Sequence, residues 1–277
     1  MKLRVSSSVK HFKERAEKTW GLEEWLGIDD PDKELLFFGL FHERDWEVFD
    51  NYDGERSVFW CGSDILRANE DYERQRILRN HLDTKHYCEN ETEAKNLKTL
   101  AINPIVIPSF LDSFDKYPVS FEPPKDGKWK FWLCGHPKRE EEYGFLIAKR
   151  MANQFPDIEF HFYGVDKPEF EQLPNIFYHG YVKEEVLNEE IKNYHAGFRP
   201  NNHDGVSEVM IKSLLLGQYP ITRIKYDDVW NYNSEPELID CINKLKEQTK
   251  PNLQARCSWI KKLNQYPFVK NRPIFIR

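Results

Sequence analysis

Long apolar runs are missing from this chain of 277 residues. The least polar stretch, Thr99 to Leu111, is short and interrupted by Pro104 and Pro108, so no segment reads as a membrane-spanning helix. Cysteine is scarce. The five cysteines, at 61, 88, 134, 241 and 257, are an odd number without a C-x-x-C pair, and they read as buried free thiols rather than a disulfide framework. The nine histidines fall without metal-ligand spacing, so no structural metal is expected. Met1 to Trp20 contains no glycine, and no G-x-G-x-x-G turn occurs anywhere, which removes the fingerprint of a Rossmann oxidoreductase. Lys2, Arg4, Lys10, Lys13, Arg15 and Lys18 crowd the N-terminus without an apolar segment behind them; that is not a secretory signal, and a cytoplasmic protein is expected.

What is present is enough for two modest packed domains: 40% of residues are hydrophobic and 14% aromatic. The net charge of -6 argues against nucleic acid as a partner, because phosphate backbones are held by clustered Lys and Arg. One region departs from that balance. Trp259 to Arg277 carries Lys261, Lys262, Lys270, Arg272 and Arg277 and no acids, interleaved with Trp259, Tyr266, Phe268 and Phe275. Such a tail suits peripheral contact with anionic lipid head groups or a lipid-linked acceptor. The plainer reading is a last helix and strap packing back on the body.

After a basic start that reads as helical to Trp20-Gly21, apolar runs alternate with amphipathic stretches. Leu35 to Leu40, Ser57 to Cys61, Thr84 to Cys88 and Pro104 to Ile107 are strand candidates. Glu43 to Asn51, Glu70 to His81 and Glu91 to Lys98 have helical character between them, which predicts a parallel sheet. Asp115 to Lys128, with Pro118, Pro123, Pro124 and Asp126-Gly127, reads as a linker. A second series follows, and it reads as the more complete one: strands at Lys130 to Cys134, Glu159 to Tyr163 and Ile176 to His179, with helices at Glu140 to Gln154, Glu184 to Tyr194, Glu235 to Glu247 and Leu253 to Leu263. The expected domains are 1–117, an abbreviated acceptor domain; 118–252, a donor-binding domain; and 253–277, a helix and strap crossing back to the first.

The most informative segment is Phe198 to Gly217, an irregular polar loop running into an apolar helix. Asp204 can serve as N-cap, Gly205 leaves room for a ligand to approach the backbone, and the N–H groups of the first turn can hold a diphosphate. Val206, Val209, Met210, Ser213, Leu214 and Gly217 share one helical face, so Asp204, Ser207, Glu208 and Lys212 are expected to look away from the core.

This segment resembles the donor-binding loop of GT-B glycosyltransferases of the retaining group 1, glycogen-synthase-like family. Cys134-Gly135-His136-Pro137-Lys138-Arg139 is similar to the family's glycine and basic pair, and Phe162-Tyr163-Gly164 and His179-Gly180-Tyr181-Val182-Lys183-Glu184-Glu185 to its other turns. The resemblance implies an α/β fold of two Rossmann-like domains facing across a cleft, and a glycosyltransferase taking an activated, nucleotide-diphosphate sugar to a carbohydrate or lipid-linked acceptor. It implies retention of configuration without a metal or other cofactor; the one Asp-x-Asp, Asp30-Pro-Asp32, lies in an expected loop. The implied donor-binding residues are Gly135, Lys138, Arg139, Gly164, Gly180, Tyr181, Arg199, His203, Gly205, Val206, Ser207 and Lys212. Lys138 or Arg139 would neutralise the leaving diphosphate, and Asp204 would face the donor sugar.

Position 212 departs from the family, which has an acidic residue there to grip the ribose hydroxyls; an ammonium has three donors and no acceptor. Lys212 reads either as a phosphate ligand or as an i,i+4 partner of Glu208. On the acceptor side, His42 and Asp64, each just beyond a strand, are candidates to orient or deprotonate a hydroxyl. Two other readings stand beside this one: a non-catalytic GT-B subunit that binds a glycan or nucleotide, and a viral-type DNA-base glucosyltransferase, which needs a basic cleft.

Overall fold

The computed structural model describes residues 1–27, 30–168 and 173–269; Lys270, Arg272, Phe275 and Arg277 of the basic tail lie outside them. The chain divides into two compact units: Met1–Asp112 with Asp204–Val206 and Lys262–Arg277, and Ser113–His203 with Ser207–Lys261.

In the first unit β1 (Lys2–Val5) is followed by a 3-10 segment at Ser7–Phe12 and helix α1 (Lys13–Trp20). Then come β2 (Glu23–Glu24), β3 (Glu34–Phe38), α2 (Glu43–Asn51), β4 (Glu55–Phe59), α3 (Ser63–Glu70), α4 (Tyr72–Asn80), β5 (Lys85–Cys88), α5 (Glu91–Lys98) and β6 (Ile105–Val106). The sheet order is β2-β1-β3-β4-β5-β6, and every pairing is parallel. The N-terminus is therefore not helical from its start. Lys2 to Val5 pairs with Leu35 to Phe38, and the turn after it dispenses with glycine because Ser6 N–H donates to Phe38 C=O. Trp20, fully buried, closes this side of the sheet against the rings of Phe38, Phe59, Tyr266 and Phe268.

The second unit runs β7 (Trp129–Cys134), α6 (Phe145–Gln154), β8 (Ile158–Tyr163), β9 (Ile176–Gly180), α7 (Glu184–Glu190), β10 (Ala196–Arg199), α8 (Glu208–Leu215), β11 (Ile221–Thr222), β12 (Trp230–Asn231), α9 (Glu235–Lys246) and α10 (Leu253–Lys262). Its order is β12-β11-β10-β7-β8-β9, again all parallel. Both sheets thus have six strands, and the second is not the more complete. Strands alternating with helices bury both sheet faces, which is why β7 and β8 read as nearly unbroken aromatic and aliphatic runs.

Several expectations change at the residue level. The segment 115–128 is no loose linker: Ser120 and Phe121 N–H both donate to Leu216 C=O, and Tyr117 is wholly buried. Helix α6 begins at Phe145, and residues 140–144 form turns that end on Gly144 at φ +71°. Helix α8 is capped at Ser207, not Asp204, and is buried on every side from Val209 to Leu215, as a core helix is. Its end is indexed by Gln218, whose amide oxygen accepts from Trp132 Nε1 and Ser213 Oγ and whose amide nitrogen donates to Ile191 C=O. Cys257 is exposed, unlike the buried thiol expected there.

Candidate functional site

Open parallel sheets take ligands outside the carboxyl ends of their strands, at the point where strand order reverses. In the second sheet that point lies between β7 and β10. The chain clears it with glycines. A Cβ on Gly135 would stand 2.0 Å from the Phe145 ring, one on Gly164 2.4 Å from Gly135 C=O, and one on Gly144 2.2 Å from Pro200. Gly164, at φ +80°, donates its N–H to Gly180 C=O, and Gly180 itself sits at φ +62°, so β8 and β9 end in interlocked turns. Tyr181, next in sequence, is 91% exposed, placing an aromatic face in solvent beside that edge.

Cations gather at the same edge. Arg199 ends β10 and donates from Nη1 to Cys134 C=O at 3.1 Å, so its guanidinium spans the reversal point. Its Cζ lies 4.7 Å from the Tyr143 ring centroid, and that of Arg139 lies 5.7 Å from it. Two guanidiniums thus share one ring, with Glu142 paired to Arg139. Lys138 is exposed and makes no ion pair among the described residues. The sequence reading missed Tyr143, which one aromatic among exposed acids hardly announces.

Around the start of α8 the second unit leaves polar atoms unsatisfied. Asn201 Oδ1, His203 Nε2 and Ser207 Oγ are buried without a hydrogen-bond partner, although buried polar atoms are nearly always paired. Ser207 caps the helix by position yet makes no side-chain cap bond. Such groups fit a polar ligand at the helix start.

Lys212 and Ser207 do not look away from the core; they are 3% and 5% exposed. Lys212 Nζ donates to Glu184 Oε1 at 3.0 Å, stands 3.5 Å from Glu208 Oε2 and lies over the Tyr117 ring. It is an internal counter-ion for two first-turn carboxylates, and the i,i+4 pairing with Glu208 holds, though buried rather than on the surface.

Behind the turns of β8 and β9 lies a ring cluster. Tyr163 stacks on His179 and His161 on both His179 and Tyr194, while Tyr163 donates to Glu190 at 2.6 Å. Burial pushes His161 down to about 3 and Tyr194 up to about 12, so both of these rings are neutral around pH 7.

In the first unit the reversal point lies between β1 and β3, and its acids are consumed internally. Asp45 accepts from Arg4 Nη1 at 2.6 Å, Ser6 Oγ at 2.6 Å, and the N–H groups of Phe41 and His42. These bonds hold its carboxyl below the usual range despite burial. Asp64 is wholly buried, accepts from the N–H groups of Leu40, Cys61 and Ile65, and is raised by burial to about 6. That geometry makes Asp64 a brace between the loops after β3 and β4 rather than a base exposed to a hydroxyl. His42 is exposed, with Nε2 2.8 Å from Ser8 Oγ.

Asp204, Gly205 and Val206 belong with this first unit. Asn90 Nδ2 donates to Asp204 C=O, and Val206 N–H donates to the Glu89 carboxylate, which sits where a Cβ on residue 205 would be. Glu93, fully buried with Oε1 unpartnered, is raised well above its usual range by burial and then by Glu89. Neither glutamate was singled out from sequence: Glu93 lies in the first turn of α5, where acids ordinarily serve the helix dipole, and Glu89 stands just before the Asn90 cap.

No protein-family description matches the chain, and no curated protein matches it in sequence. Solved structures do match. Sucrose-phosphate synthase from Thermosynechococcus elongatus superposes at a TM-score of 0.62 with 13% identity, covering 92% of this chain and 72% of that one. HepE from Anabaena, solved with UDP and glucose, gives 0.62 and 11%, covering 93% and 79%. TarM gives 0.56 and 12%, covering 83% of this chain, which spans only 51% of TarM's length. The chain has the GT-B fold. Each unit contributes one six-stranded parallel sheet to it. Among the described residues no group of three His, Cys, Asp or Glu side chains can hold a metal ion, and no helix is long and apolar enough to cross a membrane.

Proposed function

We propose that this GT-B protein is a glycosyltransferase whose second unit binds a nucleotide-diphosphate sugar. The observation that carries the reading is the carboxyl edge of the second sheet. Glycine backbone, two guanidiniums over Tyr143, and the unsatisfied Asn201, His203 and Ser207 meet there around a helix start. Phosphate oxygens match those donors. Arg139, Arg199 and Lys138 would offset the charge that a diphosphate gains as the glycosyl bond breaks, the part a divalent cation plays in other enzymes. Transfer is then metal-independent, and retention of configuration follows the family resemblance, with Asp204 in the sugar-facing role it implies. The acceptor is a carbohydrate or a lipid-linked glycan.

Lys212 takes a different part from the acidic residue it replaces. Paired with Glu184 and Glu208, it holds two half-exposed carboxylates at the first turns of α7 and α8. Those carboxylates accept from ligand hydroxyls, as the family's acidic residue would.

The deciding experiment is a thermal-shift panel with UDP, GDP, ADP, CMP and dTDP sugars, with donor hydrolysis measured alongside. Stabilisation with hydrolysis is the expected result. Stabilisation without hydrolysis would make the chain a binding subunit, and no stabilisation by any nucleotide would sink the nucleotide-sugar reading. For Lys212→Glu weaker donor binding is expected, because a third carboxylate would disperse the pair; tighter binding would instead make position 212 a decayed ribose site.

A further inference from the structure

The first unit carries a second concentration of cations, at a place the proposed donor site does not use. Its sheet order reverses between β1 and β3, so a ligand of this sheet belongs outside the ends of those strands. The floor there is electrostatically closed, because Asp45 is matched by Arg4 at 2.6 Å and saturated by three further donors. Above it stand exposed groups from three elements. Ser8, from the turn after β1, shares a 2.8 Å hydrogen bond with His42 at the head of α2. Arg67, from α3, donates one Nη1 bond to Phe41 C=O at 3.3 Å and lies 6.0 Å from the Phe41 ring, which holds the guanidinium against the residue preceding His42; among the described residues it makes no ion pair. Arg44, in the first turn of α2, is exposed and has no acidic partner among the described residues. The acid on that turn, Glu43, is outnumbered. In a chain with net charge -6 this local excess of cations is not background.

We infer that Ser8, His42, Arg44 and Arg67 form a binding site for a phosphate group carried by the acceptor. Its use by an acceptor rests on the glycosyl-transfer reading; the anion site itself does not. A guanidinium fork meets two phosphate oxygens at once, and the imidazole and hydroxyl reach a third. A free sugar phosphate and a lipid-linked phosphate present the same group.

The test uses the full chain, isotope-labelled, with backbone amides of Ser8, His42 and Arg67 followed by NMR while inorganic phosphate is added, first alone and then with UDP at saturation. Saturable shifts at these amides in both titrations, weakened at least tenfold by Arg67→Gln and restored in part by Arg67→Lys, are expected. Absence of shifts there, or shifts unchanged in Arg67→Gln, would overturn the site. If UDP fails to bind while phosphate still moves these amides, the donor reading fails and the anion site stands. Glucose 6-phosphate and phosphatidylglycerol vesicles, against phosphatidylcholine controls, then separate the sources. Competition by either with inorganic phosphate supports acceptor binding, and competition by neither overturns the acceptor assignment.

Discussion

The two sheets meet the same topological problem with opposite chemistry. At the reversal point of the first, carboxylates are turned inward and spent: Asp45 takes four hydrogen bonds and Asp64 three N–H groups. At the reversal point of the second, side chains are deleted to glycine, and Asn201, His203 and Ser207 keep unsatisfied atoms. A sealed edge stabilises its own unit, whereas an unsatisfied edge has its missing partners supplied by a ligand. The spent carboxylates of the first edge are therefore expected to respond to mutation through stability, and the unsatisfied side chains of the second through binding.

The strongest break of that contrast is Asp45→Ala. It leaves the half-buried Arg4 without its counter-ion and the Ser6 hydroxyl and two N–H groups without their acceptor, and chemical denaturation should show a loss of about 3 kcal/mol. Gly164→Ala comes next: the new methyl meets Gly135 C=O in a backbone with positive φ, and overpacking of this kind costs about 1–3 kcal/mol in a denaturant titration. Ser207→Ala sharpens the comparison. Its hydroxyl has no partner, so the free protein should keep its stability within about 0.5 kcal/mol. UDP affinity by calorimetry should fall by about tenfold, the worth of about one hydrogen bond to a charged group.

Acidification gives the smallest effect at neutral pH. In the second unit burial holds His161 at about 3 and His195 at about 4, so both fold neutral; their stability contribution is full above pH 6.5 and is lost as pH falls toward 4. In the first unit burial likewise holds His86, stacked on Trp60, at about 4. That unit also has Asp64 at about 6 and Glu93 held well above its ordinary range by burial; both bind protons more tightly folded than unfolded, and the contribution of Asp64 grows as pH falls below about 6. Hydrogen exchange at pH 7 and pH 5 should show protection falling more in β8 and β10 than in β3 and β4; an equal fall would refute the asymmetry.

Much of the architecture was readable because local signals agreed with tertiary demands. Helices α2 and α5 begin and end where sequence alone placed them; α5 has an Asn cap, acids in its first turn and lysines in its last. Strand β1 was not readable. Its Lys-Leu-Arg-Val buries one residue, Leu3, and its other side chains continue the basic pattern of the helix that follows. β2, β11 and β12 are two residues each, too short for any periodicity, whereas the equally short β6 was legible as the apolar run Pro104 to Ile107. In the candidate site, the glycine turns and the Phe198 to Gly217 loop carried recognisable spacing. The internal pairing of Lys212 with Glu184 did not, because it joins residues 28 apart on two helices.

Gln218 shows how far from the ligand the geometry of the second edge is set. Its amide engages Trp132, Ser213 and Ile191 at once, at the far end of α8 from Ser207. A helix is stiff along its axis, so it works as a dowel: pinned at one end, it fixes the depth and rotation at which the other presents its first turn. Variation in the loop from Pro200 to His203 can then retune what is bound without loosening the mount, while a change at Gln218 would shift every contact at the tip together.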